Sequence, residues 1–476
     1  MKKRILSLLL LCAMLSACGE AAVTDDTTTA ADTTEPAETE LRPTLPDKTF
    51  DGRTFTVYTR DSANHNGAFT TETETGDVLN DAIFRRMQTV SETLDVTFEE
   101  VKKTGDGEGN GAKDAILSGD DAYQLLIIFS RSAIPMAGEE LLMDWNDLPY
   151  VDFDQPWWVG ANPKSLAVGN KIFVSIDNLT HDALGAPAGM IFNKDLFDQY
   201  NLTYPYQMVK DGKWTMDRMI ELATQLSADL NGDSELKLTD DQFGVAATEW
   251  TCPQNVFVTT GQTIATVNAD GLLELTLNTP RTVEMYEKYF TFAESDCYSI
   301  TKGDVTDMNN AVRAGRVGFA EMSVYAISNL RDIDTEFGII PQPKYDESVE
   351  GYRVNVGGHC NFLAVPKTVT DPEFVSAVIE SICFENQKTV IPAFRERVLE
   401  GKVVRDEESM EMLDIIFESR VYDPGHLILP CFPGGGEFAD IGNKLVYRPD
   451  HNFSSYYAAN EKKVQSAVDK INETFA

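Results

Sequence analysis

The chain has 476 residues and is strongly acidic, with 76 Asp or Glu residues, 40 Lys or Arg residues and a net charge of −36. Proteins that bind nucleic acids need a basic patch for the phosphates, so this composition argues against a nucleic-acid partner. Solubility is the simplest explanation of the acidity. One hydrophobic core seldom organises so long a chain, and we therefore expect at least two domains.

Residues 1–17 have the pattern of a signal peptide. Met1-Lys2-Lys3-Arg4 is followed by an apolar run, residues 5–15, which is too short to cross a bilayer of roughly 30 Å. Leu15-Ser16-Ala17-Cys18 then resembles the lipobox of bacterial lipoproteins. This resemblance implies that Cys18 receives a diacylglyceryl group, is acylated further, for example with palmitate, and becomes the mature N-terminus. The alternative is an ordinary signal peptide in which the cysteine is incidental.

Residues 18–47 have the composition of a disordered tether. They contain few apolar residues and many threonine, alanine and acidic residues, so they cannot bury enough surface to offset their ordering entropy. Two or three acyl chains, at roughly 0.8 kcal/mol per buried CH₂, would hold the protein on the membrane. Cleavage before Cys18 removes three basic residues and no acidic one, which takes the net charge from −36 to −39.

The cysteines after Cys18 show no metal-binding or disulfide pattern. They are Cys252, Cys297, Cys360, Cys383 and Cys431, with no CxxC pair and no Cys/His spacing. An odd number leaves at least one thiol without an intrachain partner. We predict that most of them are small buried apolar residues and that the protein has no disulfide framework.

Hydrophobic periodicity predicts an α/β protein. Residues 53–59 alternate like a half-buried strand, residues 78–94 form a candidate helix, and residues 125–129 are a continuous apolar run typical of an interior parallel strand. Three further helices are indicated by apolar residues at i, i+3, i+4 and i+7 spacing, around residues 219–226, 375–382 and 464–471. Asp371 and Pro372 suit the N-cap and first turn of the second of these helices.

Three stretches in this order resemble the extracellular solute-binding proteins of ATP-driven importers, in the carbohydrate-type group. The first is Met190–Phe197, MIFNKDLF, followed by Gly212–Asp217, GKWTMD. The second is Gly315–Met322, GRVGFAEM, which continues to Phe337–Pro343, FGIIPQP. The third is Leu363–Lys367, LAVPK. Each stretch alone is unspecific, but their order behind a lipobox is typical of this family.

The resemblance implies a two-lobed, periplasmic-binding-protein-like (type II) α/β fold with hinge-connected lobes. By this analogy residues 48–180 and 345–405 form one lobe, and residues 181–344 and 406–476 form the other. The chain would cross between lobes near residues 181–185, 342–358 and 400–408. The implied partners are a small polar solute, either a monosaccharide or an oligosaccharide, and a pair of ABC permease subunits, with the binding protein itself a monomer.

A second resemblance concerns location. Pro156-Trp157-Trp158, Pro205-Tyr206 and Asp211–Trp214 look like a branch of these lipoproteins from anaerobic Gram-positive bacteria, which favours a cell-surface tether. Within this resemblance we expect Trp157 and Trp158 to pack under the ligand cleft rather than to contact ligand.

Signatures of catalysis are missing from the sequence. There is no GxSxG, HExxH, GxxxxGK[ST] or suitably placed GxGxxG motif, and the five histidines have no metal-ligand spacing. We therefore predict a binding protein that is not an enzyme and requires no cofactor. A sensory or adhesion lipoprotein of the same fold, and a carbohydrate-active enzyme, remain alternatives.

Candidate ligand-binding residues follow from the places where parallel strands end, since open α/β sheets bind ligands there. Residues around the ends of the first two predicted strands are candidates on this ground, namely Tyr58, Arg60, Asp61, Phe129 and Arg131. The family resemblance adds Tyr325 as an aromatic platform and Trp250 near the cleft. His359 and Asn361 are further candidates on a crossing segment.

One acidic loop predicts a structural calcium ion. Residues 229–240 place side-chain oxygens at positions 1, 3, 5 and 12 of an EF-hand-like loop and a main-chain carbonyl at position 7. The ligands would be Asp229, Asn231, Asp233, Glu235 and Asp240. Two residues depart from the pattern, because Ser234 stands where glycine eases the turn and Asp240 replaces a bidentate glutamate. An Asp/Asn-rich turn without metal is the alternative.

Overall fold

The computed structural model describes residues 41–61, 69–158, 163–177, 179–330, 333–358, 360–399 and 407–475. The chain divides into two compact units, residues 1–42 and 43–476, and only the second is described below. The predicted signal peptide, Cys18, most of the tether and His359 lie outside the described residues. Among the helices that are described, none combines the length and the apolar character needed to cross a membrane.

The first sheet has the strand order β12-β3-β1-β2. Strand β1 is parallel to both β2 and β3, whereas β12 is antiparallel to β3. The strands are β1 (Arg53–Thr59), β2 (Val96–Lys102), β3 (Leu125–Phe129) and β12 (Asn361–Ala364). All five residues of β3 are buried, as its continuous apolar sequence predicts.

The second sheet has the strand order β10-β4-β9-β5-β8. Strands β9, β5 and β8 are parallel, and β4 is antiparallel to both of its neighbours. The strands are β4 (Ala188–Asn193), β5 (Phe243–Thr248), β8 (Tyr298–Thr301), β9 (Val317–Ser323) and β10 (Phe337–Ile340). Two small pairs complete the strands: β6 (Ala265–Val267) with β7 (Leu273–Leu275), and β11 (Val354–Asn355) with β13 (Arg420–Val421).

Helices connect these strands. In the first half of the chain they are α1 (Val78–Leu94), α2 (Lys113–Leu117), α3 (Ser130–Gly138), α4 (Asp182–Gly185), α5 (Lys194–Gln199), α6 (Tyr206–Lys210) and α7 (Met216–Gln225). In the middle they are α8 (Cys252–Val258), α9 (Pro280–Ala293), α10 (Thr306–Arg313), α11 (Val324–Ser328), α12 (Pro372–Lys388) and α13 (Val390–Leu399). At the C-terminal end they are α14 (Glu407–Glu418), α15 (Pro424–Leu427), α16 (Gly436–Ala439), α17 (Ile441–Val446) and α18 (Phe453–Phe475).

The predicted elements are confirmed, and their caps explain where they start. The side chain of Asp77 accepts a hydrogen bond from Asn80 N at the start of α1. The Asp371 carboxylate caps α12 by accepting from Phe374 N at 3.1 Å, with Pro372 as the first helical residue. Thr215 caps α7 in the same way. Each cap supplies an acceptor for a backbone N–H that the helix itself leaves unpaired.

Behind the first sheet, Trp157 and Trp158 are buried against α12. Both indole N–H groups donate to the carboxylate of Glu380, Trp157 Nε1 to Oε1 at 2.7 Å and Trp158 Nε1 to Oε2 at 2.8 Å. Burial raises the pKa of Glu380 to about 7, although both indole hydrogen bonds act to lower it. The tryptophan pair therefore stabilises the packing of the first lobe.

The chain passes between the two sheets in more than one place. Ser175 bridges to Leu363 of the first sheet, and the following residues lead through α4 to β4 of the second. The return runs from β10 through β11 to β12. Two α/β sheets connected in this way form the predicted two-lobed fold. The exact lobe boundaries given above stay a prediction.

Candidate ligand-binding site

A cavity of about 270 Å³ lies where residues from both sheets meet. Three groups of lining residues directly follow the carboxyl ends of parallel strands: β3 of the first sheet, and β5 and β9 of the second. The remaining lining comes from connecting segments and C-terminal helices. The strand ends thus place polar and aromatic side chains at one location, as the topology of open α/β sheets predicts.

The first wall of the cavity consists of Phe129, Ser130 and Arg131, at the end of β3 and the start of α3. Phe129 is almost buried and Arg131 is exposed. Beneath the wall, the guanidinium of Arg60 lies 5.0 Å from the centre of the Phe129 ring. Arg60 Nε also donates to the side-chain oxygen of Asn361. Two predicted ligand contacts, Arg60 and Asn361, therefore support Phe129 from behind and do not line the cavity.

Tyr58 and Asp61 also lie outside the cavity lining. Tyr58 is buried, and its hydroxyl donates to Asp106 Oδ2 at 2.7 Å. Asp61 Oδ2 accepts a hydrogen bond from Gly105 N at 2.9 Å. The strand-end rule identifies the edge of the sheet at which the cavity lies, but it does not determine toward which face a side chain points. Tyr58 points into the core, and Asp61 is used to hold a neighbouring turn.

The second wall contains residues 249–251, 254 and 255 after β5, Ser323 at the end of β9, and Tyr325 in α11. It includes both predicted aromatic residues of this lobe. Trp250 is 59% exposed, and Tyr325 is partly exposed at the start of α11. Gly185 lies against Tyr325, and a Cβ atom there would come within 3.0 Å of the Tyr325 Cβ. The absence of a side chain at Gly185 allows the crossing segment to pass close to this ring.

Three amide side chains of the lining, which we call the amide cluster, lack part of their hydrogen bonding. They are Gln254 and Asn255 of α8 and Asn355 of β11, and all three are buried. Asn355 Nδ2 donates to Asn255 Oδ1 at 3.3 Å. Both amide atoms of Gln254, the Asn255 Nδ2 atom and the Asn355 Oδ1 atom have no hydrogen-bond partner among the described residues. Unsatisfied buried groups cost about 1–3 kcal/mol each, and such costs are concentrated at functional sites.

His426 of α15 fixes another part of the lining. Its Nε2 atom accepts a hydrogen bond from Gly358 N at 3.1 Å, so this nitrogen carries no proton. The Nδ1 atom then donates to the carbonyl of Ala439 at 3.0 Å. A neutral imidazole in this tautomer joins the crossing segment at Gly358 to the C-terminal helices.

Glu249 organises the rim next to Trp250. Its side chain is buried, and Oε1 accepts from Gly303 N at 3.0 Å. The other carboxylate oxygen accepts from the hydroxyl of Tyr447, which follows α17. Lys302 Nζ lies 5.2 Å from the centre of the Tyr447 ring. Tyr447 is nevertheless 58% exposed.

The predicted calcium loop has part of the required geometry. Gly232 and Ser234 both adopt left-handed backbone conformations, with φ of 75° and 68°, so Ser234 makes the turn that usually needs glycine. The side-chain oxygens of Asp229, Asn231 and Asp233 accept backbone N–H groups of the same loop. Glu235 pairs with Lys237, and Asp240 accepts from Thr239. Within the described ranges, no three His, Cys, Asp or Glu residues are grouped closely enough to hold a metal.

Sequence reasoning alone did not find several lining residues. Four of the nine predicted binding residues line the cavity: Phe129, Arg131, Trp250 and Tyr325. The amide cluster, Glu249, His426 and Asn443 were missed. Gln254 and Asn255 did carry a signal, since two adjacent amides at the start of an apolar helix are unusual among buried residues. Four of the predicted apolar cysteines, Cys297, Cys360, Cys383 and Cys431, are not disulfide-bonded, and Cys360 lies in the lining.

Two α/β sheets joined by crossing segments, with a cavity at their carboxyl edges, define a two-lobed binding-protein fold. The chain belongs to the family of bacterial extracellular solute-binding proteins, whose match covers residues 94–379. No curated protein matches the chain in sequence.

Solved structures support the same fold at low sequence identity. UspC of Mycobacterium tuberculosis is 12% identical, with 87% of this chain and 100% of that protein covered and a TM-score of 0.56. A sugar transporter protein of Rhizobium etli in an open conformation is 14% identical, with 89% and 98% covered and a TM-score of 0.56. UgpB of M. tuberculosis in complex with glycerophosphocholine is 16% identical, with 88% and 98% covered and a TM-score of 0.52.

Proposed function

We propose that this solute-binding protein captures a neutral, hydroxyl-rich solute, a carbohydrate, in the cavity and presents it to the permease pair of an ABC importer. The observation that carries the proposal is the amide cluster beside exposed aromatic rings. The unsatisfied atoms include donors, on Gln254 and Asn255, and acceptors, on Gln254 and Asn355. Sugar hydroxyl groups donate and accept at once, so they can pair with both kinds of atom.

The charges of the lining also favour a neutral ligand. A ligand carboxylate or phosphate would require a surplus of donors, and a cationic ligand a surplus of acceptors. Here the buried carboxylate of Glu249 is already paired on both oxygens, and His426 is held in a neutral tautomer. Arg131 contributes a cation to the lining, and Asp440 contributes a carboxylate. A sugar uses such a mixed lining without leaving a buried charge unpaired.

The aromatic residues and the volume agree with this ligand class. Trp250 and Tyr325 present flat apolar surfaces against which the C–H face of a sugar ring can stack. The cavity, at about 270 Å³, is near the lower end of the range for small-molecule sites. Two of the similar structures carry names that point to related cargo, a sugar transporter and a glycerophosphocholine complex. Glycerophosphocholine contains a phosphodiester, which this lining serves less well than a neutral sugar.

Capture would couple binding to closure of the lobes. In this mechanism the ligand first contacts the second wall at Tyr325 and the amide cluster. Rotation about the crossing segments then brings Phe129 and Arg131 of the first wall over it. Closure is favoured only to the extent that the ligand binds the closed state better than the open one. Rotation about the last side-chain torsion of each amide costs little energy. Such a rotation would turn the unsatisfied atoms toward the ligand.

A thermal-shift screen of sugars and polyols against residues 48–476 tests the ligand class. A binding sugar should raise the melting temperature in a concentration-dependent way. Stabilisation by phosphodiesters or amino acids but by no sugar would overturn the carbohydrate assignment. Uptake of the same sugar by vesicles containing the permease pair tests the importer. Binding without uptake would instead support the sensory or adhesion alternative.

The N-terminal sequence supports a lipid-anchored location, with Cys18 as the acylated residue. The family is extracellular, and the tether follows Cys18 directly. The variant Cys18→Ser should be released from the membrane fraction. Continued fractionation of this variant with membranes would reject the anchor.

We also propose that the loop of residues 229–240 binds a calcium ion. Asp229, Asn231 and Asp233 supply hard oxygen ligands in a backbone turn that already has the required left-handed residues. Bound calcium would stabilise the loop and take no part in ligand capture. Calorimetry with millimolar Ca²⁺ should show binding that Asp229→Asn weakens, and no heat with the unchanged protein would reject it.

A further inference from the structure

The backbone of Gly358 connects the first wall of the cavity to the C-terminal helices. Its N–H donates to Nε2 of His426, in α15, at 3.1 Å, and its carbonyl accepts from the hydroxyl of Ser130, in the first wall, at 3.3 Å. All three residues line the cavity. A Cβ atom at position 358 would lie 3.3 Å from the same ring nitrogen, so glycine allows the imidazole to approach this closely. The position of the crossing segment in the cavity therefore depends on the His426 ring.

Only the neutral form of His426 can make this contact. A backbone N–H is always a donor, so the ring nitrogen that it faces must offer a lone pair. A proton on Nε2 would place two donors against each other at 3.1 Å. The other ring nitrogen, Nδ1, donates to Ala439 O at 3.0 Å and can do so in either form. Uptake of one proton therefore breaks the contact with Gly358 and leaves the contact with Ala439.

Two carboxylates favour uptake of this proton. Asp440 Oδ1 lies 4.0 Å from Nδ1 of His426. The buried carboxylate of Asp423 caps the N-terminus of α15, and burial raises its pKa while the charge of His426 acts to lower it. An opposite charge at such distances stabilises the imidazolium. Imidazole is also the side chain that ordinarily changes its charge between pH 5 and 8.

Other ionisable groups lie on the segments around α15. Among the described residues they are two thiols, two arginines and a glutamate paired with Lys463, namely Cys360, Cys431, Arg131, Arg353 and Glu437. The arginines oppose a charge on the ring, whereas the neutral thiols and the paired glutamate have little effect. Strand β6, which packs against α15, has no ionisable side chain.

Resting on the proposed function, we infer that His426 is a pH-sensitive positioning residue: ligand capture requires its neutral form, and acidification releases Gly358 and weakens binding. In the neutral form the crossing segment is held by both Ser130 and α15. In the protonated form Gly358 N–H loses its acceptor, and of these two contacts only the one with Ser130 remains. Because the bound state needs the neutral ring, ligand affinity is highest above the pH at which the ring titrates and falls as pH falls through it.

Titration calorimetry at pH 7.5 and pH 5.5 tests this inference, with glucose, maltose, cellobiose and xylose as probes. Free imidazole titrates at about pH 6.5, so a binding step that needs the neutral ring should weaken about tenfold over this range. His426→Gln keeps an oxygen that can accept from Gly358 N, and its amide takes up no proton. The two affinities of this variant should therefore agree within about twofold, whatever their absolute value.

His451→Gln is the matched control. His451 also has a ring nitrogen bonded to a carbonyl, Nδ1 with Leu445 O at 2.7 Å, and also lies beside an acid, Glu294, but it is not a lining residue. This variant should keep the full pH dependence. Equal affinity ratios in His426→Gln and the unchanged protein would overturn the inference and leave the proposed function intact. Binding that does not depend on pH in the unchanged protein would do the same.

Nuclear magnetic resonance of the unliganded protein tests the contact without a sugar. As pH falls, the amide signal of Gly358 should shift in parallel with protonation of the His426 ring. A Gly358 amide signal that does not follow this titration would overturn the inference, even if His426→Gln failed to fold. Binding of none of the four sugars would overturn the proposed function, and the Gly358 signal would then decide alone whether His426 controls the crossing segment.

Discussion

The two walls of the cavity differ in how their polar groups are used. Around the first wall, Tyr58, Arg60 and Asp61 are hydrogen-bonded within the protein. Around the second wall, Gln254 and Asn255 keep unsatisfied amide atoms. This contrast concerns the named wall residues only, because Ser132 beside the first wall also has an unsatisfied hydroxyl. It supports the proposal that the amides of the second wall supply hydrogen bonds to a ligand.

The largest expected effect follows from removing unsatisfied amide atoms in the second wall. In Gln254→Leu we expect ligand affinity to fall roughly 30-fold to 140-fold, since two hydrogen bonds worth about 1–1.5 kcal/mol each are lost. The free energy of unfolding of the unliganded variant should rise, because a buried amide without partners is replaced by an apolar group. Paired titration calorimetry and urea unfolding measure both quantities. A fall in unliganded stability with unchanged affinity would mean that Gln254 serves the fold.

Each lobe also contains a buried glutamate, Glu321 in the second lobe and Glu380 in the first, and the two differ in their hydrogen-bond partners. Burial raises the pKa of Glu321, in β9, from about 4.5 to about 7. Its carboxyl receives hydrogen bonds from Tyr298 at 3.2 Å and Gln342 at 3.4 Å. The folded state therefore keeps a proton that the unfolded chain releases, and the stability this contributes is fully present below about pH 4.5 and is lost as pH rises through 7.

We expect Glu321→Gln to be more stable than the unchanged protein by about 1–3 kcal/mol near pH 8, and nearly equal to it near pH 4.5. The tyrosine hydroxyl can accept from one N–H of the new amide, and the amide oxygen can still accept from Gln342. Glu380→Gln is the control in the first lobe, where two indole donors need two acceptor oxygens. It should lose about 1–3 kcal/mol near pH 4.5, because one indole N–H would face an amide NH₂. The loss should be smaller near pH 8, because the pKa of Glu380 is also raised to about 7 and its ionisation destabilises the unchanged protein there. Urea unfolding at the two pH values would contradict this account if the variants behaved alike.

Substitution of Tyr325 tests whether this ring contacts the ligand or belongs to the hydrophobic core. We expect Tyr325→Ala to weaken ligand affinity at least tenfold, about 1.4 kcal/mol, and to leave the unliganded protein nearly as stable, because the ring is partly exposed. A core aromatic would instead cost about 3–5 kcal/mol of folding stability. Melting of the unliganded variant beside a ligand titration distinguishes the two outcomes.

The smallest effect is expected for a polar group of the first lobe that is already paired. Tyr58→Phe removes the hydroxyl that donates to Asp106. Unfolding free energy should fall by about 1 kcal/mol, since the carboxylate oxygen also accepts from Gly111 N. Ligand affinity per folded molecule should not change. A tenfold loss of affinity in Tyr58→Phe would mean that both lobes contribute hydrogen-bonding groups to ligand binding, which would contradict this account.

The sequence predicted the scaffold better than the site, for a physical reason. Strand and helix patterns reflect which residues of one segment are buried. The elements β1, β3, α1 and α12 could therefore be predicted from their own residues. Phe129 was found because it ends a buried strand, and Tyr325 was found through the family resemblance. Asn355 and His426 line the cavity only because distant segments of the chain come together there. No local sequence pattern indicates which distant segments will be in contact. Whether Arg60 points to ligand or to Asn361 likewise depends on tertiary packing.

A crystal structure of the protein with a sugar from the thermal-shift screen tests the central claim most directly. We predict that hydroxyl groups of the sugar lie within hydrogen-bonding distance of the side-chain amides of Gln254 and Asn255, with one ring stacked on Tyr325. A sugar bound elsewhere, or a sugar in the cavity that leaves both amides unpaired, would contradict the claim that the second wall is the recognition surface.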